Sequence, residues 1–226
     1  MIENEKEDII EKEQTNGGRE IYWVLGGATV LIILVFIAYS VMQNMKVFEY
    51  EGLVFTEEKF GQIEVYKYSY YPEKPTITGR VTDENPAVVF YFRTDPRNNN
   101  VSINVNNVVF PNGADVYVTY KGIELEQCEY NLLAASNMAA ILSRGGIRLK
   151  SGLGEKEIAT ANNITYVTCE EFPNDIVVQV ESSNETKVVQ EGSCYRIKVS
   201  NCEILEATEK FVVEALAQAV ERKNNP

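Results

Sequence analysis

The chain has 226 residues, 45% of them hydrophobic, and a formal net charge of −12. Such a length accommodates one ordinary domain with a smaller element, and the hydrophobic share is that of a chain that buries a core, so disorder throughout is excluded. The 21 lysines and arginines are scattered rather than clustered, which argues against nucleic acid as a partner and against docking on anionic lipid.

The first twenty residues are acidic, with seven carboxylates and three basic side chains. They show almost no apolar periodicity. This composition predicts a disordered tail over residues 1–20.

An uncharged apolar run follows the tail. No charged residue lies between Glu20 and Lys46, and residues 21–42 would extend over about 33 Å as a helix, which spans the hydrocarbon core of a bilayer. Aromatic residues, which favour the headgroup boundary, lie near both ends of the run (Tyr22, Trp23 and Tyr39). We therefore expect a single-pass transmembrane anchor over residues 21–45, with the lipid bilayer as its partner.

The orientation of the anchor follows from its flanks. A cleaved signal peptide is an alternative, but signal peptides begin with a short positive stretch, whereas the preceding region is long and acidic. An uncleaved signal-anchor is favoured. Three basic residues precede the run and two follow it closely, which favours a cytoplasmic N-terminus and a C-terminal domain outside. An inverted anchor with a cytoplasmic domain remains the alternative.

Residues 46–226 are numerous enough to form a domain with its own core. Segments rich in Val, Tyr and Phe and separated by Pro, Gly and Asn predict strands at 62–71, 87–94 and 115–121. From Leu125 to Leu142 apolar residues recur at intervals of three and four, which predicts an amphipathic helix. With the run at 147–151, this region predicts a strand, helix, strand crossover.

The last part of the domain predicts a meander followed by a helix. Four short apolar runs are joined by turn residues, at 164–169, 176–181, 186–190 and 194–200. Residues 203–222 carry a broad apolar stripe, which predicts a terminal helix packed on the sheet. The predicted fold class is α+β, a mixed sheet with two principal amphipathic helices, preceded by one transmembrane helix.

All four cysteines lie after the anchor: Cys128, Cys169, Cys194 and Cys202. The number is even, and no CxxC pair or histidine suggests zinc, so extracytoplasmic disulfides are predicted. Reduced, buried thiols in a cytoplasmic domain are the alternative.

The predicted strands also predict the pairing of the cysteines. Cys194 and Cys202 flank a strand and would lie about 26 Å apart, whereas a disulfide needs Cα atoms within about 7 Å. In an antiparallel meander, Cys169 and Cys194 meet at one end of the sheet. That pair is therefore favoured, and it leaves Cys128 to pair with Cys202.

Two runs carry a resemblance to a known group of proteins. YFRTDPRNN (91–99) and SCYRIKVSNCEILEATEKFV (193–212) resemble sequences of small, uncharacterised single-pass membrane proteins from archaea. The similarity covers much of residues 46–226. It implies an anchored domain at the cell surface, and it implies no activity or site residue.

No catalytic motif is present. The chain has no histidine, so the commonest general base and metal ligand is missing. No phosphate-binding glycine motif and no GxSxG sequence occurs either. We therefore expect no catalytic residue, metal or cofactor, and an enzyme that relies on carboxylates remains the alternative.

Two neighbouring features could form a recognition surface. Tyr66, Tyr68 and Tyr70 alternate onto one strand face. A polar loop rich in hydrogen-bonding groups follows at 94–100 and contains Asp95, Arg97 and Asn99. Such a surface suits a sugar or a protein. The alternative is that the tyrosines cover the core and Asp95 begins a turn.

These features together predict a membrane-anchored binding or assembly module of the cell envelope. Its N-terminus would be cytoplasmic, and its C-terminal domain would meet an envelope protein or glycan outside. The alternatives are a histidine-independent envelope enzyme and a cytoplasmic domain on an inverted anchor.

Overall fold

The computed structural model describes residues 22–37, 46–70, 88–111, 113–144 and 147–224. The chain divides into two compact units, Met1–Val47 and Phe48–Pro226. The predicted acidic tail lies outside the described residues.

Helix α1 occupies residues 22–37, and its side chains are exposed throughout. Within the parts of the chain that the structure describes, no helix combines the length and the apolar character that crossing a membrane requires. The remainder of the predicted anchor, residue 21 and residues 38–45, lies outside the described residues.

The second unit is α+β and begins with a four-stranded sheet in the order β1-β2-β3-β4. Its strands are β1 (Val47–Tyr50), β2 (Leu53–Phe60), β3 (Ile63–Tyr70) and β4 (Val88–Phe92). Glu51 and Gly52 join β1 to β2 with φ values of 51° and 72°, as two-residue hairpin turns require. The predicted strands 62–71 and 87–94 correspond to β3 and β4, which pair in antiparallel fashion.

A six-stranded mixed sheet follows, in the order β5-β9-β10-β8-β6-β7. Its strands are β5 (Ser102–Asn104), β6 (Asp115–Lys121), β7 (Arg148–Leu153), β8 (Ile176–Ser182), β9 (Lys187–Glu191) and β10 (Cys194–Val199). Strands β7, β6, β8 and β10 run parallel to one another. Strand β9 runs antiparallel to β10, and β5 is parallel to β9.

The helices are α2 (Asn131–Arg144), α3 (Lys156–Ala161) and α4 (Ile204–Asn224), with a 3₁₀ helix at Ile123–Gln127. The predicted helix from Leu125 starts too early. After the 3₁₀ helix the backbone becomes extended at Cys128, with ψ of 134°, and regular α-helix begins only at Asn131. Apolar spacing therefore indicated the buried face but not the change in helical geometry.

Two cores meet on α4. Ile204 and Phe211 pack with α2 and with one face of the six-stranded sheet, which carries Val116 and Val118 of β6. Val212 and Val213 pack against the aromatic face of the four-stranded sheet. The terminal helix thus joins the two sheets.

The predicted meander is wrong. Residues 164–169 form no strand and contribute a single bridge, between Tyr166 and Leu153. Strand β10 inserts between β9 and β8 and is parallel to β8. Alternation of apolar and polar residues indicates the sheet face on which a residue lies, but it does not identify the neighbouring strand. Strand β8, for example, is buried on both faces, and this burial does not reveal which strand lies beside it.

The cysteines pair as predicted. Cys128 bonds to Cys202 and Cys169 to Cys194, with Cα–Cα distances of 5.2 and 5.7 Å. The meander that suggested the second pair does not exist. Instead, Cys169 lies in an irregular segment across the sheet face opposite α2 and α4, where it packs with Val167, Val177 and Cys194.

Candidate binding cleft

The predicted recognition tyrosines lie in the core. Tyr66 and Tyr68 are only 8% and 6% exposed. They contact Phe48 and Phe55 of the four-stranded sheet. This leaves little of either ring for a partner, as the alternative interpretation of these residues expected. The side chain of Tyr70 lies outside the described part of the structure.

The polar loop after β4 is docked on α4. The Asn99 side chain is buried and donates a hydrogen bond to the Glu206 carbonyl oxygen at 2.8 Å. Asp95 accepts hydrogen bonds from the Arg97 guanidinium, which lowers the pKa of that carboxyl. The Arg97 guanidinium lies 3.7 Å from the centre of the Phe48 ring. A recognition role for Asp95 and Arg97 stays a prediction.

The Glu209 side chain of α4 holds the start of the same loop by hydrogen bonds. Its carboxylate accepts the backbone N–H groups of Arg93 and Thr94, both at 2.8 Å, and it is 3% exposed. Burial raises the pKa of Glu209 to about 7. Sequence analysis missed this residue, although its position four residues after Leu205 and three before Val212 places it on the apolar stripe of α4.

A crevice opens at the carboxyl ends of β6 and β7. After β6 the chain enters α2, on the sheet face that carries Val116 and Val118. After β7 it passes through α3 to the opposite face, where the Val167 carbonyl oxygen accepts a hydrogen bond from Thr119 Oγ1 at 2.9 Å. Where neighbouring parallel strands send their connections to opposite faces, α/β sheets bind ligands.

A cavity of about 220 Å³ occupies this crevice, and we call it the β6–β7 cleft. It is mainly apolar and is bounded by the ends of both strands, the 3₁₀ helix, the first turns of α2, and α3. Its residues are Tyr120, Gly122, Ile123, Leu125, Glu126, Asn131, Leu132, Ala135, Leu153, Glu155 and Ile158. An apolar pocket with few polar groups is the usual form of a small-molecule site.

The hydroxyl of Tyr120 is unsatisfied. It is shielded from solvent and has no hydrogen-bond partner among the described residues. Burial raises the pKa of this phenol above its ordinary value. A buried, unpaired polar group destabilises a protein by about 1–3 kcal/mol. Because water does not reach this oxygen, the Tyr120 hydroxyl does not face the open cleft, although the residue contributes to its wall. Sequence analysis predicted Tyr120 only as a strand residue.

The polar residues of the cleft are acidic or neutral. Glu126 and Glu155 line it, and neither forms an ion pair within the described ranges. The Asn131 side chain donates a hydrogen bond to the Glu126 carbonyl oxygen at 2.8 Å, which closes the start of α2. Glu155 precedes α3, and its side chain makes no capping hydrogen bond.

A charged cluster surrounds Arg196 of β10, on the face of the six-stranded sheet opposite α2 and α4. This guanidinium contacts the carboxylates of Glu170, Glu181 and Glu191. Its hydrogen bond to Glu170 lowers the pKa of that carboxyl to about 2. Gln179, fully buried, donates to Glu181 and accepts the Cys169 N–H. The cluster therefore holds the irregular segment on the sheet.

Among the residues whose placement is described, no group of three or more Cys, Asp or Glu side chains converges as a metal ion would require. Comparison with known protein families, curated proteins and solved structures gives no match. The resemblance to archaeal membrane proteins stays a prediction.

Proposed function

We propose that the chain is a membrane-anchored binding module of the cell envelope that takes its ligand in the β6–β7 cleft. The observation that carries the proposal is the mainly apolar cavity at the carboxyl edge of two neighbouring parallel strands whose connections leave to opposite faces of the sheet. The envelope protein or glycan expected from sequence would be the source of that ligand.

An extracytoplasmic address is supported by the disulfides. All four cysteines are bonded in two pairs, whereas cytoplasmic proteins keep their thiols reduced. The uncharged run at 21–42 supplies the anchor in this proposal.

The contacts of the buried Glu209 carboxylate favour binding over catalysis. Glu209 has a pKa near neutrality, which acid–base catalysis would require. However, both of its oxygens accept backbone N–H groups of the loop after β4. Its role is therefore to hold that loop.

The address is tested by adding protease to intact cells. We expect residues 46–226 to be digested while an epitope in the N-terminal tail survives. Full protection of the domain until the membrane is ruptured would refute the proposed topology.

Binding is tested by extracting the small molecules that copurify with the full chain. We expect mass spectrometry to find a compound on the wild type that is lost from Ala135→Trp, because the indole would fill the cleft. Ala219→Trp, on an exposed position of α4, is the matched control. Circular dichroism should show that both variants are folded. Equal recovery from all three proteins would contradict the assignment of the cleft.

A further inference from the structure

We infer that the domain carries N-linked glycans at Asn100 and Asn163, one beside each edge of the six-stranded sheet. This inference rests on the extracytoplasmic address in the proposed function, and it does not depend on the ligand of the β6–β7 cleft. Disulfides and N-linked glycans are both typical of secreted domains.

The acceptor motif for such glycans is an asparagine followed two residues later by serine or threonine. The domain contains three such motifs, Asn100-Val101-Ser102, Asn163-Ile164-Thr165 and Asn184-Glu185-Thr186. All three asparagines are exposed. Exposure does not distinguish an acceptor, because polar side chains ordinarily lie at the surface. The three motifs differ, however, in whether the fold itself uses the hydroxyl.

The fold uses neither polar side chain of the first motif. Asn100 lies shortly before β5 and Ser102 begins that strand, and both are exposed. Within the described residues, neither side chain forms a hydrogen bond. The adjacent Asn99, by contrast, is buried and bonded to the Glu206 carbonyl oxygen. A sugar on the Asn100 amide would therefore break no contact of the fold.

The second motif follows α3 and is exposed at all three residues. The Asn163 amide and the Thr165 hydroxyl have no hydrogen-bond partner in the described part of the chain. Asn163 has a φ of 54°, a left-handed conformation in which asparagine is enriched. The backbone thus gives a reason for asparagine at 163, but it gives none for threonine two residues later.

The third motif has a structural explanation. The Thr186 hydroxyl donates to the Ser200 carbonyl oxygen at 3.2 Å and accepts the Ser200 N–H at 3.0 Å. These two bonds join the loop before β9 to the end of β10. The motif at Asn184 therefore needs no glycan to account for its threonine.

Both assigned sites lie at the borders of the six-stranded sheet. Strands β5 and β7 are its outermost strands. Asn100 precedes β5, and the segment after Asn163 runs beside the end of β7, where the Thr165 carbonyl oxygen accepts the Leu153 N–H at 3.0 Å. Neither asparagine lines the β6–β7 cleft. Bulky glycans at these positions would shield sheet edges that can otherwise pair with another chain.

The modification is a glycosyl transfer from an oligosaccharide that is linked through phosphate to a membrane lipid. The asparagine side-chain nitrogen attacks the anomeric carbon of the first sugar and forms the new C–N bond. The bond from that carbon to the phosphate oxygen breaks, and the lipid phosphate leaves with the electron pair. The amide loses one proton to solvent, and no oxidant or reductant takes part.

Peptide masses of the full chain, purified from the cells that naturally make it, test the two sites. Cleavage after lysine, arginine and glutamate places the three motifs on separate peptides. We expect the peptides with Asn100 and Asn163 to carry the added mass of a glycan and to release sugar fragments on collision. A peptide of unmodified mass would overturn the assignment of its site.

Variants show whether the motif is read. Asn100→Gln and Asn163→Gln should each remove one glycan, which increases the electrophoretic mobility by one step. Asn104→Gln and Asn174→Gln, at exposed asparagines outside any motif, are the matched controls and should change nothing. Thr165→Ala should remove the glycan from the unchanged Asn163, whereas Thr165→Ser should keep it. Circular dichroism should show that all variants are folded, and a glycan that persists in Thr165→Ala would contradict the inference.

The outcomes separate the glycans from the proposed function. If both peptides are unmodified while added protease digests the domain on intact cells, the address stands and only the glycosylation sites are wrong. If both peptides are unmodified and the domain is also protected from protease, the address itself is wrong.

Discussion

Ionisation of Glu209 should make the protein less stable as the pH rises from 4.5 to 7. The pKa of this carboxyl is about 7 in the folded protein, against an ordinary value of 4.5. Between these values the unfolded chain has released the proton and the folded protein still holds it, so stability falls with rising pH. At about 1.4 kcal/mol for each pH unit, the loss amounts to about 3 kcal/mol.

Other titrating side chains interfere little with this measurement between pH 4.5 and 7. The chain has no histidine, the side chain that ordinarily titrates there. Carboxyls whose pKa is lowered, such as those of Asp95 and Glu170, contribute stability that is lost only as the pH falls below their ordinary values of 3.8 and 4.5. Their effect therefore lies below the window of Glu209.

The perturbation is Glu209→Gln, followed by urea unfolding of the full chain at several values between pH 4.5 and 7.5. Glutamine does not titrate, so the variant should show no slope over this range. It should also be about 1–3 kcal/mol less stable than the wild type at pH 4.5, because its amide nitrogen cannot accept one of the two backbone N–H groups.

Glu221→Gln, at an exposed position of the same helix, should keep the slope of the wild type. A wild-type stability that is constant or rises across the window would refute the effect of burial on this carboxyl. A slope that persists in Glu209→Gln would show that another group is responsible.

Two further predictions concern the disulfides and the anchor. Replacing the Cys128–Cys202 pair with serines should lower the free energy of unfolding in urea by about 4.4 kcal/mol, and replacing the Cys169–Cys194 pair should lower it by about 3.5 kcal/mol, because the paired cysteines are 74 and 25 residues apart. The opposite order would contradict the loop-closure argument. A chain that begins at Lys46 should stay folded, since residues 48–226 form one compact unit, and circular dichroism that shows lost structure under oxidising conditions would contradict that boundary.

Local pattern was sufficient for several elements. Strands β3 and β6 follow from runs rich in Val, Tyr and Phe, β8 from a short apolar run between turn residues, and α4 from an apolar stripe that repeats about every 3.6 residues. The hairpin of β1 and β2 was missed, although Glu51 and Gly52 give it a turn signal.

Such patterns do not predict which strands lie next to each other in a sheet. The position of β10 between β8 and β9 does not change which of its residues are buried. The cysteine pairs were nevertheless predicted. The length of one strand excluded Cys194 with Cys202, but the choice between the two remaining pairings rested on a meander that the structure does not contain. Their actual approach depends on an irregular segment that has no periodicity to detect.

The cleft depends on contacts between segments that are distant in the sequence. The charge, the uncharged run, the cysteine count and most of the strands could be predicted from the sequence, since each depends on composition or on near neighbours along the chain. The cleft combines residues 120–135 with residues 153–158, and it exists because two adjacent strands send their connections to opposite faces. The unpaired hydroxyl of Tyr120 and the buried carboxylate of Glu209 arise in the same way, because the presence or absence of a partner depends on segments that only the folded chain brings together.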